Sequence, residues 1–183
     1  MQEELRVERR FWGPGDIELE ENWLNEMAAQ GWALVSVDGN WGRKYAFERS
    51  DPGEYIVRMR VLRWKTEEWR IETGKQIAEQ ADGEFLSLHG DHIYCRRLAE
   101  KGQFELFADN AERIKYMNWL LRGHIIDLLE VVLCVGYLVL GLLKPVDPWQ
   151  LALAALWGIL SFFSLRIWLR LWKLRKKYIN AEK

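Results

Sequence analysis

Two long apolar runs near the carboxyl end most strongly constrain how this chain can fold. Residues 125–143 are almost wholly apolar, and a second apolar run covers residues 149–165. Each run approaches the ~20 residues that a helix needs to cross a ~30 Å hydrocarbon core. The connection at residues 144–148 contains two prolines, which end one helix and start the next. Because this connection is short, the sequence predicts an antiparallel transmembrane helical hairpin within residues 123–183.

A buried helical hairpin in a soluble core, or a pair of dimerising helices, is the alternative to two membrane spans. Tryptophans at the ends of the apolar runs favour the membrane, because Trp concentrates at the two bilayer interfaces. In addition, two such runs are hard to bury in so small a protein. The tryptophans are Trp119, Trp149, Trp168 and Trp172.

Lysines and arginines outside the apolar runs predict the orientation of the hairpin. They precede the first run and follow the second, whereas the connection holds only Lys144, balanced by Asp147. The positive-inside rule therefore places both termini in the cytoplasm, with two spans in the inner cell membrane and the lipid bilayer as a partner. The flanking cations are Arg113, Lys115, Arg122, Arg170, Lys173, Arg175, Lys176 and Lys177.

Two carboxylates interrupt the first apolar run, where ionisable groups are costly. Asp127 and Glu130 are three residues apart and share a helix face. At ~1.5 Å rise per residue, Arg166 of the second helix reaches a similar depth. We therefore expect Arg166 or Arg170 to pair with Asp127 or Glu130 across the hairpin. Such a pair is either a clasp near the cytoplasmic boundary or part of a proton or ion relay.

Small side chains in both apolar runs allow close helix packing. Ala154, Gly158 and Ser161 form a stripe on the second run, and Gly136 and Gly141 lie in the first. The close contact that they predict is either within the hairpin or between protomers of a homo-oligomer.

Charge divides the chain into two unlike parts. Residues 1–118 hold 17 Lys and Arg against 23 Asp and Glu, a net charge of −6. Residues 119–183 hold 9 against 4, a net charge of +5. The acidic part is punctuated by Gly, Asp and Asn, which is typical of a soluble α+β domain. We expect this domain in the cytoplasm at residues 1–108, followed by a connecting helix at 109–122. Its negative charge argues against direct binding to nucleic acid.

The amino terminus and the cysteines add two expectations. The first ten residues are charged and lack an apolar core, so we expect no cleavable signal peptide. Cys95 and Cys134 fall in different parts of the chain and predict no disulfide.

Hydrophobic periodicity and turn residues predict a duplicated βαββ unit over residues 4–49 and again over 54–98. Helical spacing indicates helices at 17–30 and 66–81, with Asp16 as the first N-cap. Tight turns between alternating runs indicate two hairpins. We therefore expect one antiparallel sheet of about six strands with two helices on one face, followed by the transmembrane hairpin.

Three blocks of this part resemble a bacterial family called domain of unknown function 2812. They are residues 21–34 (ENWLNEMAAQGWAL), residues 47–55 (FERSDPGEY) and residues 105–110 (ELFADN). The resemblance covers roughly residues 5–115. It implies transmembrane helices after the domain, and a gene often placed beside a PadR-like transcriptional repressor, hence a regulatory role. It supplies no catalytic residues.

A short stretch of the second hairpin contains residue types that bind metals. His89, His92 and Cys95 are the candidates. If Gly90-Asp91 is the turn, the two histidines oppose each other on one face with Ser87 and Tyr94, and Cys95 lies on the other face. The three side chains then do not converge, so we predict no metal site. We also predict no cofactor site and assign no catalytic residue.

Aromatic and arginine side chains of the strands are the remaining candidates for a ligand or partner surface. Aromatic rings suit an apolar or cationic ligand, and arginines on one strand face suit an acidic partner. The predicted surface comprises Trp32, Trp41, Tyr45, Arg58 and Arg60.

The sequence thus favours a membrane-tethered cytoplasmic binding or regulatory module with a cytoplasmic or membrane protein as partner. Two alternatives stay open. One is an accessory subunit of a membrane transporter complex, and the other is an enzyme acting on a lipid or small molecule at the membrane surface.

Overall fold

The computed structural model divides the chain into two compact units, Met1–Ala108 and Asp109–Lys183. We call them the amino-terminal and the carboxy-terminal unit. The residues that the structure describes are 5–13, 15–39, 42–62, 65–106, 110–123, 129, 132–133, 135–136 and 148–181.

The amino-terminal unit has the element order β-α-β-β twice, as the sequence predicts. The first repeat is β1 (Arg6–Arg10), α1 (Ile17–Ala29), β2 (Trp32–Asp38) and β3 (Arg43–Arg49). The second repeat is β4 (Tyr55–Val61), α2 (Glu67–Gln80), β5 (Glu84–His89) and β6 (His92–Leu98). A short 3-10 turn, Ala99–Lys101, follows.

The strands form two three-stranded antiparallel sheets, which corrects the expectation of a single six-stranded sheet. The strand orders are β1-β3-β2 and β4-β6-β5. The edge strands β2 and β5 lie side by side. Each carries a bulge, between Leu34 and Ser36 in β2 and between Phe85 and Ser87 in β5. A bulge kinks its strand and increases the local twist, which disrupts a ladder.

Side chains bridge the line where β2 meets β5. The N–H of Val37 donates to Ser87 Oγ at 3.1 Å. Arg96 of β6 donates to the carbonyl oxygen of Leu34 at 3.0 Å and also pairs with Glu48 of β3. These contacts hold the two sheets together where backbone pairing is interrupted.

The ends of α1 follow the predicted boundaries, but the N-cap differs in detail. Asp16 stands at the N-cap position without a side-chain hydrogen bond to the helix. Its carboxylate instead accepts from the N–H of Gly13 at 2.8 Å. Gly31 follows the helix with a φ of 81°, and a Cβ there would lie 3.0 Å from the carbonyl oxygen of Ser50. Glycine is therefore required at that turn.

α1 packs against β2 and against the edge strand β4. The Asn25 side chain accepts from the N–H of Val57 at 2.9 Å and donates to its carbonyl oxygen at 3.1 Å. The Glu21 carboxylate accepts from the N–H of Met59 at 2.6 Å. Polar side chains of a helix thus take the place of a neighbouring strand and cover an edge that would otherwise pair with another chain.

α2 packs on β5 and β6 through an apolar cluster. Gly74 of α2 allows the close approach, since a Cβ there would lie 2.7 Å from Phe85 and 3.1 Å from Ile93. Burial raises the pKa of the Cys95 thiol in this cluster to about 12. The buried members are Leu62, Ala78, Ile93, Cys95, Phe104 and Leu106.

The carboxy-terminal unit contains α3 (Asn110–Gly123) and α4 (Pro148–Ala181). α3 packs on α4 through Met117 and Leu120 on one side and Leu171 and Tyr178 on the other. With 34 residues, α4 is about 51 Å long at ~1.5 Å per residue.

Within α4, Ala155–Asn180 is long and apolar enough to cross a membrane, and it is the one such helix among the residues that the structure describes. The predicted first span at residues 125–143 lies largely outside the described residues.

The Asn25 contacts with β4 lead to a prediction about stability. Asn25→Ala leaves the N–H and carbonyl of Val57 without this partner, and we expect a loss of about 1–3 kcal/mol in the free energy of unfolding. Asn22→Ala is the matched control, because Asn22 is exposed on the same helix and its replacement changes helix propensity equally. Urea unfolding of the detergent-solubilised protein measures the free energy of unfolding of both variants. Equal losses would show that the Asn25 contacts do not stabilise the edge strand β4.

Candidate functional site

A buried carboxylate, Glu20 of α1, is the centre of the candidate site. Its side chain is 1% exposed. Glu20 lies on the buried face of the helix, with Ile17 one turn before it and Trp23 and Leu24 one turn after it. Burying an ionised carboxylate costs free energy unless hydrogen-bond donors surround it. The partners of Glu20 therefore determine whether its burial destabilises the fold.

Three side chains from both sheets donate to Glu20. Tyr45 of β3 donates to Oε1 at 2.6 Å, and Tyr94 of β6 donates to the same oxygen at 2.7 Å. Arg43 of β3 donates to Oε2 and forms a salt bridge. We call Glu20, Arg43, Tyr45 and Tyr94 the Glu20 cluster. It connects α1 with one strand from each sheet.

Burial determines the protonation of the two phenols. It raises the pKa of Tyr45 to about 12, although the nearby Arg43 guanidinium partly opposes the shift. Burial also raises the pKa of Tyr94, again against the effect of Arg43. Both hydroxyls therefore stay protonated near neutral pH, as donors to the carboxylate must be.

Arg43 connects the buried carboxylate of Glu20 with a more polar surface that includes His89 and His92. We call Arg43, His89 and His92 the rim. The Arg43 side chain is 15% exposed, and its Nη2 lies 3.4 Å from Nε2 of His92. His89 is paired with His92 across the hairpin. The pKa of His89 is lowered by burial and, to a smaller extent, by Arg43, while Asp38 opposes the shift. A charged or polar molecule that reaches this rim meets one guanidinium and two imidazoles.

Aromatic rings surround the inner side of the cluster. The Trp23 ring lies 4.8 Å from the Tyr45 ring and 5.8 Å from the Phe47 ring, both edge to face. Trp12 lies 6.0 Å from Trp23, and the Arg10 guanidinium stacks 4.4 Å over Trp23. The apolar surroundings strengthen the electrostatic interactions of Glu20.

The residues of the predicted aromatic–arginine surface have different environments. Tyr45 belongs to the Glu20 cluster. Trp32 is buried, with Arg49 3.9 Å and Arg6 5.3 Å from its ring centre. Trp41 lies outside the described residues.

The two arginines of that surface hold the segment after the 3-10 turn. Arg58 donates to the carbonyl oxygen of Phe104 at 3.1 Å, and Arg60 donates to that of Leu106 at 2.7 Å. The described members of the predicted surface are therefore not brought together into one patch.

Three members of the cluster were not singled out from the sequence. Glu20, Arg43 and Tyr94 are distant in the chain, but Glu20 carries a signal. It occupies an apolar helix position, three residues after Ile17 and four before Leu24, and this spacing indicates a place on the buried face.

The histidine hairpin has the predicted register. His89 pairs with His92, and Ser87 pairs with Tyr94. Cys95 lies in the apolar cluster under α2. The structure therefore separates the thiol from the histidine pair.

Two of the four residues predicted to form the intramembrane ion pair, Arg166 and Arg170, lie one turn apart on α4. Asp127 and Glu130 lie outside the described residues, so the ion pair stays a prediction.

The fold and the site define an α+β protein of two βαββ repeats with a carboxy-terminal helix able to cross a membrane. The family model described as "Protein of unknown function (DUF2812)" matches residues 16–128, more than half of the chain. The chain belongs to this family, as its sequence blocks indicated. No curated protein and no solved structure matches the chain.

The contacts of Glu20 predict that its charge stabilises the fold. Glu20→Gln leaves Arg43 without its buried counter-charge, and we expect a loss of about 3 kcal/mol in the free energy of unfolding. Glu26→Gln removes the same charge from an exposed position of α1 and serves as the control. Urea unfolding followed by Trp fluorescence compares them, and the double variant Glu20→Gln, Arg43→Gln measures their coupling. A loss no larger than that of Glu26→Gln would contradict the prediction.

The raised pKa of Tyr45 predicts a loss of stability in alkali. A tyrosine in the unfolded chain ionises near pH ~10, whereas folded Tyr45 stays protonated up to about pH 12. The folded state thus holds the proton that the unfolded state releases. The contribution of Tyr45 to the free energy of unfolding is therefore fully present below pH ~10 and is lost as the pH rises to about 12. Tyr45→Phe should flatten this fall in urea titrations at several pH values, and an unchanged slope would contradict the assignment.

Proposed function

We propose that this protein is a membrane-tethered binding or regulatory module whose amino-terminal unit acts at the cytoplasmic face of the inner membrane. The observation that carries the proposal is the composition of α4. Its first part exposes large apolar side chains, such as Trp149 at 70% and Ile159 at 57%. Its last part, after Leu169, is strongly basic. This order is typical of a span followed by a cytoplasmic segment.

The arrangement that we propose has two antiparallel spans, and both termini face the cytoplasm. It is supported by the apolar run at residues 125–143 and by the two prolines between the runs. Cations on α3 add to the argument, because Arg113, Lys115 and Arg122 precede the first run as the basic end of α4 follows the second.

The Glu20 cluster is the element through which a ligand or partner would act. A molecule that binds at the rim and draws Arg43 toward it removes the counter-charge of Glu20. That change alters the contacts that α1 makes with Tyr45 of one sheet and Tyr94 of the other. We infer a cytoplasmic protein as partner, with a PadR-like repressor as one candidate from the family resemblance, and we assign no catalytic step to the cluster.

An accessory role in a transporter complex is the second candidate, and the exposed apolar surface of α4 supports it. Phe162 and Phe163 are 63% and 55% exposed. Membrane helices of another subunit could cover such a face.

Reporter fusions test the topology. Alkaline phosphatase is active only outside the cytoplasm, and a fluorescent protein exported in an unfolded form stays dark. We expect fluorescence when the reporter follows residue 183, and phosphatase activity when the reporter follows residue 146. Phosphatase activity at residue 183 would refute an inside carboxyl terminus, and recovery of the chain in the soluble fraction would refute the tether.

Crosslinking and affinity purification of the full-length protein from native membranes test the partner. The comparison is between wild type, Arg43→Gln and the control Lys44→Gln, which removes a charge from the exposed neighbour. A soluble regulator that is recovered with wild type and Lys44→Gln but reduced several-fold with Arg43→Gln supports the proposal. Recovery of transporter subunits with all three proteins would favour the second candidate.

A further inference from the structure

β1 forms the edge that the amino-terminal unit leaves open. It pairs with β3 on one side, and among the described strands none lies on its other side. The remaining edges differ, because α1 covers β4 and because β2 lies beside β5. An edge strand presents N–H and C=O groups to which another strand can pair. The open edge of β1 is therefore a surface for strand pairing.

Apolar side chains in and beside β1 are exposed. Val7 is 52% exposed, and Leu5 and Phe11, which flank the strand, are also exposed. Val7 shares one face of β1 with Arg9, because side chains alternate along a strand. A strand added beside β1 would cover part of this face, and removing apolar surface from water favours such an addition.

The charges of β1 determine how a second copy of this chain can pair with it. Two copies related by a two-fold axis pair antiparallel, and the residue on the axis lies opposite itself. β1 reads RVERR, so every central position except Val7 would place like charges opposite each other. Like charges directly opposite destabilise a strand pair. The one axis position that avoids this repulsion is Val7.

A pairing centred on Val7 makes the neighbouring charges complementary. Arg6 then lies opposite Glu8 of the second copy, and this contact occurs twice because the interface is symmetric. Within one chain, Nε and Nη2 of Arg6 donate to Oε1 of Glu8 at 2.9 and 2.7 Å. No described residue donates to Oε2 of Glu8 or accepts from Nη1 of Arg6. The contact between copies therefore uses atoms that the contact within the chain leaves open.

We propose that two copies of this chain associate through β1, antiparallel and with Val7 on the two-fold axis. Opposite-charge pairs of Arg6 and Glu8 flank the axis, and Leu5 lies opposite Arg9 of the second copy. The interface belongs to the amino-terminal unit. It is distinct from a contact between the small residues of the apolar runs, and it does not depend on the proposed membrane insertion.

Cysteine crosslinking of the full-length protein in native membranes tests the register. In a Cys134→Ser background, Val7→Cys should form a disulfide-linked dimer on mild oxidation, because directly opposed Cα atoms lie about 4.5–5.5 Å apart. Leu5→Cys or Arg9→Cys alone should crosslink several-fold less, since each lies about 13 Å along the strands from its own counterpart. The same two variants expressed together should crosslink, because Leu5 and Arg9 are opposed.

Lys44→Cys is the matched control for random collision between copies. Lys44 is exposed and pairs with Arg9 in the neighbouring strand β3, which places it one strand further from the axis. Equal crosslinking of Lys44→Cys and Val7→Cys would overturn the proposal. The absence of a Val7→Cys dimer would overturn it as well.

Charge variants separate the contact between copies from the contact within one chain. Arg6→Glu and Glu8→Arg each place two like-charge pairs across the axis, so each should raise the dimer dissociation constant about tenfold. A mixture of the two variants restores both opposite-charge pairs between copies, although neither chain keeps its own contact between residues 6 and 8.

Sedimentation of the detergent-solubilised full-length proteins measures these constants. We expect dimers in the mixture at a concentration where each variant alone is largely monomeric. A mixture no more dimeric than the separate variants would contradict the proposal. Dimers that both single variants leave intact would also contradict it, because association would then take place elsewhere, such as between the carboxy-terminal helices.

Discussion

The salt bridge and hydrogen bonds of one buried carboxylate determine how the amino-terminal unit is assembled. Glu20 accepts from Arg43 and Tyr45 of β3 and from Tyr94 of β6, so the position of α1 is fixed against both sheets at once. Apolar packing alone tolerates small displacements of a helix, because dispersion contacts are not directional. Hydrogen bonds to a charged group are directional and costly to lose in a region of low dielectric. The cluster therefore specifies the arrangement of the two repeats more strictly than the surrounding aromatic rings do.

The two repeats share an element order but differ in how their helices are held. α1 buries the apolar side chains of Ile17, Trp23, Leu24, Met27 and Ala28. It adds polar contacts, through Glu20 with both sheets and through Asn25 with the edge of β4. α2 packs on its own sheet through an apolar cluster, and Gly74 brings it close to Phe85. Loss of an apolar contact leaves a cavity whose cost depends on relaxation. A change of charge beside Glu20 instead alters contacts with both sheets. The contacts of the first helix with both sheets thus depend on one charge.

Local signals in the sequence predict the helices and strands of the two repeats well. They do not reveal contacts between residues that are distant in the chain. The turn at Gly90 correctly fixes the pairing of His89 with His92, because a two-residue turn sets the register. After the bulge in β5, Ser87 accepts a hydrogen bond from Val37 of β2, a contact that no alternation of residues in β5 reveals. Glu20 also fits the rule that acids favour the first turn of a helix, so its sequence position has two explanations. The contacts with Arg43, Tyr45 and Tyr94, which are distant in the chain, decide between them.

In the proposed arrangement, the two parts of the chain respond oppositely to an anionic membrane surface. Residues 1–118 carry a net charge of −6, and residues 119–183 carry +5. Attraction to anionic headgroups acts within a Debye length, about 10 Å at 0.1 M salt. At a helix rise of ~1.5 Å per residue, the cations from Arg166 to Lys177 extend over about 17 Å, so the ones nearest the headgroups lie within that distance. The net charge of residues 1–118 has the same sign as the headgroups, so this part as a whole gains no net attraction from them. In the proposed arrangement, the attraction to an anionic membrane surface therefore comes from the tether and not from the amino-terminal unit.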